Sequence, residues 1–279
     1  MTNLVHDRRR QVNGLDFVLE GDGPLTAVFE NGLATPLEEW DPVVPRIAAR
    51  ARVLRYDHRY AEPQGASAPR SVSGILDDLE GLLRTLDLEP PYVFVGHSWG
   101  GVIARLFAHM HPSEVVGLVL VDATHEAIDL RALSAAPRIY SLMLFLARAR
   151  FVRRALSRQL CPAGASPAYR ARVEQRLNDP VRWPTGLRTA QAESAAIVPA
   201  LVQLRHDCPD LPSIPVRVLT GGEKSKMAQR AREGWQTTVA RSPRAQYTNV
   251  PSSSHYMPID HPDMVADAIL SVLVSARHT

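Results

Sequence analysis

Residues 93–110 read VFVGHSWGGVIARLFAHM. The opening run is apolar and strand-like, and from Gly100 to about His111 the pattern becomes helical. Only a few residues separate the two elements. A parallel strand that turns at once into a helix leaves its turn at the carboxyl edge of the sheet, where open α/β folds bind ligands. Ser98 occupies this turn, with Gly96 and Gly100 two residues to either side. In a strand–turn–helix context, Gly-x-Ser-x-Gly marks a strained elbow whose flanking positions leave no room for side chains. The helix aims its first amides and the positive end of its dipole at the same place. The sharp corner thus exposes a hydroxyl beside donors able to stabilise an oxyanion.

Outward from this corner, strands and helices alternate. Strands are expected at 25–30, 52–57, 92–96 and 115–122, with helical segments within 36–50 and over 71–87. Ile75, Leu79, Leu82, Leu83 and Leu86 share one face of the second helical segment. Asn13-Gly14 between two strand-like runs predicts a hairpin. From Ala123 to Leu211 the sequence is helical, with no convincing strand; the alternation resumes with strands at 216–222 and 245–250 and helices near 227–241 and 261–277. The expected fold is therefore α/β: a mostly parallel, doubly wound sheet formed by residues 1–122 and 212–279, with 123–211 inserted as a helical lid.

Composition narrows the function classes. The chain has 279 residues, 45% of them hydrophobic and 22% charged, as in soluble globular proteins. Lysine occurs only at 224 and 226, so 30 of the 32 basic residues are arginine. The arginines are dispersed along the chain and accompany no nucleic-acid-binding motif, so no nucleic-acid partner is expected. No apolar run approaches the length of a membrane span. The start, MTNLVHDRRRQVNG, lacks the apolar core of a secretory signal, so a cytoplasmic protein is expected. Cys161 and Cys208 are not spaced for a metal and are expected to be free thiols.

A serine hydroxyl needs a base to act as a nucleophile near neutral pH. Of ten histidines, His255 fits this role: it follows the last expected strand and precedes the last helix, in a loop returning to the carboxyl edge. His97 reads as a packing residue beside the elbow. The base in turn needs a carboxylate to fix its tautomer and stabilise its cation. Asp122 and Glu223 both stand at the carboxyl ends of expected strands, and either can supply it.

The stretches VFENGLATPLEEW, VLRYDHR, VGHSWGG, GLVLVDATHE, VRVLTGG and SSSHYMPIDHPD together resemble the α/β-hydrolase fold superfamily over nearly the whole chain. Ser98 and His255 match its nucleophile and base, in its order Ser, acid, His. The commonest position for the acid, an aspartate shortly after the strand at 216–220, holds Ser225 here. Some members place the acid after the preceding strand instead, where this chain has Asp122. The resemblance thus favours Asp122, with Glu223 as the alternative. It also implies an oxyanion hole made by the amides of Leu33 and Trp99, although the usual His-Gly of that loop is replaced by Glu30-Asn31-Gly32. Glu30 is unhelpful there unless its side chain turns away. His58, Arg59 and Tyr60 stand where the family usually carries a glycine-rich turn and are expected to cover the sheet, with entry into the pocket as the other reading.

The implied activity is that of a serine hydrolase acting on a carboxylic ester, lactone or thioester through an acyl-enzyme on Ser98, with no cofactor. The substrate is a small molecule with an apolar acyl or lactone group. Epoxide hydrolases of this fold use an aspartate nucleophile, against which Ser98 argues. The alternative is a non-hydrolytic protein of the same fold: a ligand-binding protein, lyase, cyclase or acyltransferase. Within the inserted segment, IYSLMLFL (139–146) is followed by Arg148, Arg150, Arg153 and Arg154. An ordinary helix with a buried and a solvated face is expected there. An apolar wall for a ligand and a basic membrane-surface helix are the two other readings.

Overall fold

The computed structural model of the chain describes residues 9–59, 70–146, 149–162 and 164–277. Its strands are β1 (Arg10–Val12), β2 (Leu15–Glu20), β3 (Thr26–Glu30), β4 (Arg52–Tyr56), β5 (Tyr92–His97), β6 (Val115–Val121), β7 (Val216–Gly221) and β8 (Ala245–Val250). They form one sheet in the order β1-β2-β4-β3-β5-β6-β7-β8. β1 and β2 pair antiparallel, and β2 also runs antiparallel to β4; the pairings from β4 to β8 are parallel. The hairpin joining β1 to β2 has Val12 opposite Leu15, with Asn13 and Gly14 both at positive φ (50° and 77°). That is the backbone a tight two-residue turn demands.

Every residue of β3 and of β5 is buried, because helices cover both faces of the sheet. Alternate strand residues feed two separate cores. Val28, Leu54, Phe94 and Leu118 pack with α2 (Val72–Thr85) and α3 (Trp99–Met110). Phe29, Val53, Val95 and Val119 pack with α1 (Val44–Ala48) and the last helix (Pro262–Ala276). In α2 the expected face of Ile75, Leu79, Leu82 and Leu83 is the buried one.

Between β6 and β7 lie α4 (Leu130–Leu133), α5 (Ala136–Leu146), α6 (Arg150–Leu160), α7 (Pro167–Asn178) and α8 (Arg182–Asp207); no strand occurs among the described residues of this stretch. Yet β6 and β7 are direct neighbours, with Leu118 opposite Val216. The insertion therefore leaves and re-enters the sheet between adjacent strands. Its last helix is not separate from the core: Ala196, Ile197, Ala200, Leu201 and Leu204 of α8 join the cluster around α2 and α3. α5 has a half-buried side (Tyr140, Met143, Leu144) and an exposed one (Ile139, Leu142, Phe145), with no residue fully buried. It packs chiefly on α8, where Gln191 donates to the Ser141 hydroxyl (2.7 Å). No helix among the described residues is long and apolar enough to cross a membrane.

A buried ionic cluster ties α8 to the sheet. His58, just past β4, has Nδ1 at 3.0 Å from Glu193 of α8 and Nε2 at 3.0 Å from Glu30, the last residue of β3. Tyr56 donates its hydroxyl to the other oxygen of Glu30. Arg59 pairs with Asp78 of α2 at 2.6 Å, while Tyr60 lies outside the described residues. Burial works against a charged His58, but Glu193 and Glu30 outweigh it and raise its pKa well above the ordinary 6.5. A raised pKa means that the proton stabilises the fold fully below 6.5, and that this contribution is lost as pH climbs through the native value. His58→Ala leaves two buried carboxylates facing each other and is expected to cost about 3 kcal/mol near neutral pH. Chemical denaturation across a pH series checks this: the gap between wild type and variant should be widest in mild acid and narrow toward alkaline pH.

Candidate active site

Ser98 sits between the end of β5 and the start of α3 with φ 53° and ψ −115°, a conformation that L-residues rarely adopt. Its amide donates to the Val121 carbonyl and its carbonyl accepts from Thr124, both at 3.1 Å. These bonds tie the turn to the end of β6. A Cβ on Gly96 would stand 2.5 Å from the Gly100 carbonyl oxygen, and one on Gly100 would stand 2.3 Å from the Glu30 carbonyl oxygen. The first turn of α3 therefore lies directly on the end of β3, and only glycine fits at either position.

The loop after β8 brings His255 over this corner. Its Nε2 lies 3.0 Å from Ser98 Oγ, and its Nδ1 lies 2.6 Å from Asp122 Oδ2. Asp122, the residue after β6, is also at positive φ (40°), and its other oxygen accepts from the Gly221 amide at 2.8 Å. With Nδ1–H donating to the carboxylate, Nε2 is left to accept the serine proton. Burial works to raise the Asp122 pKa, but the hydrogen bond and charge of His255, the Gly221 amide and His97 hold it below the ordinary 3.8. Glu223 is exposed and stands apart from this chain of contacts. Ser225, at the position where the resemblance puts the usual aspartate, caps helix α9 (Lys226–Ala240) by accepting from the Ala228 amide.

In the loop after β3, Glu30 is turned away into the His58 cluster. Asn31 donates to the Tyr56 carbonyl (2.7 Å) and accepts from the Trp40 indole (2.9 Å), which pins the loop. The Gly32 amide is taken by Glu39 at 2.8 Å. Leu33 is half-buried, and no partner for its amide occurs among the described residues. Trp99 is buried and opens α3, so its amide has no acceptor within the helix. A cavity of about 350 Å³ begins beside this loop at Ala34 and Pro36 and is walled by Leu160, Tyr169, Val173 and Trp183 of the insertion. Ser98, His255 and Asp122 do not line it. No group of three or more His, Cys, Asp or Glu suited to hold a metal ion occurs among the described residues.

His97 is more than the packing residue expected from the sequence. It is buried, with Nδ1 at 2.9 Å from Glu39 Oε2 and Nε2 at 2.8 Å from the His255 carbonyl. A carbonyl only accepts, so Nε2 must carry a proton, and the carboxylate favours a second one on Nδ1. Burial opposes that charge, but Glu39 prevails and raises the His97 pKa above 6.5. Since Glu39 also holds Gly32, one buried carboxylate couples the loop after β3 to the backbone of His255. The sequence carried a signal for this: Glu38-Glu39 stands within an otherwise apolar helical turn, Leu37–Trp40, whose residues are all buried.

A model of the protein family described as "Alpha/beta hydrolase family" matches residues 27–268. Among curated proteins, the uncharacterized protein YqjL of Bacillus subtilis (strain 168) is 36% identical over 104 residues, which cover 37% of this chain and 41% of that one. The match thus spans about two fifths of that relative's length. Among solved structures, a thermophilic esterase from Thermogutta terrifontis superposes with a TM-score of 0.74 at 22% identity, covering 98% of both chains. The epoxide hydrolase CorEH superposes with a TM-score of 0.66 at 20% identity, covering 95% of this chain and 97% of that one. Structural likeness at such identities bears on the fold alone.

The Glu39 contacts generate a stability test. Glu39→Ala strips His97 of its buried partner and Gly32 of its acceptor, and is expected to cost about 3–5 kcal/mol. Glu39→Gln should cost much less, because its carbonyl still accepts from Gly32 and its amide can donate to a neutral His97. Urea denaturation of both variants checks this, and equal losses would count against the coupling.

Proposed function

The chain belongs to the alpha/beta hydrolase family, and on that premise we propose that it is a serine hydrolase cleaving a carboxylic ester, lactone or thioester. The observation that carries the reading is the unbroken contact chain Ser98 Oγ–His255 Nε2–Asp122, at 3.0 and 2.6 Å. In the proposed reaction Ser98 attacks the acyl carbon while its proton passes to His255 Nε2. Asp122 holds the imidazole in the accepting tautomer and stabilises the cation that forms. The amides of Leu33 and Trp99 take the developing oxyanion. His255 then gives its proton to the leaving alkoxide or thiolate. A water, deprotonated by the same imidazole, attacks the acyl-enzyme and releases the acid.

In this reading the inserted helices act as a lid, and the substrate carries an apolar acyl or lactone group. A serine is not suited to open an epoxide in the manner of the family's carboxylate nucleophiles, so an acyl carbon is the electrophile that fits.

Ser98→Ala should fold normally and lose nearly all turnover of an activated ester such as a p-nitrophenyl ester. A fluorophosphonate probe should label the wild type on the peptide carrying Ser98. Asp122→Asn should cost up to about 10⁴ in turnover, the loss known for the equivalent change in a serine protease triad. Glu223→Gln should leave turnover nearly unchanged, because an exposed charge contributes little. With chemistry rate-limiting, kcat/KM should fall in acid, since a protonated imidazole cannot accept another proton. Full activity of a folded Ser98→Ala protein would overturn the mechanism, and a dominant effect of Glu223→Gln would move the acid.

A further inference from the structure

The outer face of α5 and α6 is unexplained by the chemistry at Ser98. Although α5 is almost wholly apolar, only one side of it is half-buried, at Tyr140, Met143 and Leu144. Ile139, Leu142 and Phe145 recur at three-residue spacing on one side of it, 53%, 59% and 84% exposed. Phe151, in the first turn of α6, is 69% exposed. Burying such side chains is normally favourable, so a row of exposed ones marks a surface that meets something apolar.

Charge identifies what it meets. From Leu130 to Val173 the sequence holds nine arginines and no Asp, Glu or Lys, although the whole chain carries only +3. The remainder of the chain is therefore net acidic, and positive charge is concentrated in this segment. Arg172 is neutralised by Asp41 (2.7 Å), but Arg131, Arg138, Arg154 and Arg158 are exposed around the apolar residues. A second copy of the chain docking through the same face would set arginines against arginines. A nucleic acid would match the charge and leave the isoleucine, leucine and phenylalanines unused. An anionic bilayer offers both phosphates and an apolar layer beneath them, and basic amphipathic helices bind there.

We infer that the α5–α6 face docks on an anionic phospholipid surface, with Ile139, Leu142, Phe145 and Phe151 entering the acyl boundary and the arginines lying among the phosphates. The geometry is that of peripheral attachment. It does not depend on the serine mechanism, and its test involves no turnover.

The experiment is co-sedimentation of the full chain with vesicles of pure phosphatidylcholine and of phosphatidylcholine with roughly 30 mol% phosphatidylglycerol. The chain should bind the anionic vesicles and not the neutral ones, and binding should weaken as salt is raised. The double variant Phe145→Ser/Phe151→Ser should bind at least about tenfold more weakly. Arg154→Glu/Arg158→Glu should weaken binding comparably while leaving the apolar residues in place, and it decides the matter if the phenylalanine variant does not fold. Circular dichroism and light scattering accompany each sample. Failure to bind anionic vesicles, or binding that neither variant weakens, would overturn the inference. So would a wild-type dimer that the phenylalanine variant converts to monomer, since the face would then be an interface between copies.

Discussion

The contact on which the rest of the site depends is the seat of α3 on the end of β3. With no space for a side chain at Gly96 or Gly100, the chain must leave β5 and enter the helix through one residue, and that residue is forced into a rare backbone conformation. Such strain costs on the order of 1–3 kcal/mol. It persists because α3 is fixed by its buried face, with Val102, Ile103, Leu106 and Phe107 in the core. The bonds from Ser98 to Val121 and Thr124 add a second anchor. Packing far from the hydroxyl thus determines where the hydroxyl stands.

Around this corner, charge follows a repeated pattern: three histidines near the carboxyl edge each lean on a carboxylate. His255 leans on Asp122, His97 on Glu39, and His58 on Glu30 and Glu193. The pattern follows from solvation, since an unpaired charge cannot be left in a water-poor interior. The three arrangements differ in openness. The His97 and His58 pairs are enclosed and act as joints between loops and helices. His255 is partly exposed, which leaves its second nitrogen available to the serine and to what the serine meets.

Much of this was legible in the sequence, and the limits have physical causes. The sheet, its helices and the elbow were readable because periodicity and glycine placement are local properties. The meeting of Ser98 with His255 was readable because each lies at a strand end that topology sends to one edge. That Asp122 and not Glu223 meets His255 was not readable locally, since it depends on the path of the loops after β6 and β7. His97 packs as its sequence context implies, but its polar role was not legible because its partner, Glu39, lies far away in the chain and meets it only in the folded state. The bare face of α5 was also hidden: an apolar helix reads the same in sequence whether or not a neighbour covers it.

The direct pairing of β6 with β7 has a consequence for tolerance to change. Leu118 and Val216 stand opposite each other although nearly a hundred residues separate them, so the insertion is a closed excursion from two adjacent strands. The entropy cost of such closure grows only with the logarithm of loop length, about 0.6 kcal/mol for each doubling. The length of the insertion therefore asks little of the sheet, whose register is set by its own core. Its packing asks more: the later half of α8 enters that core, and Tyr169 and Val173 of α7 pack with Ile259, shortly after His255. The excursion is free in length but fixed at these contacts, so changes in its helices reach the His255 loop through α7 and not through the strands.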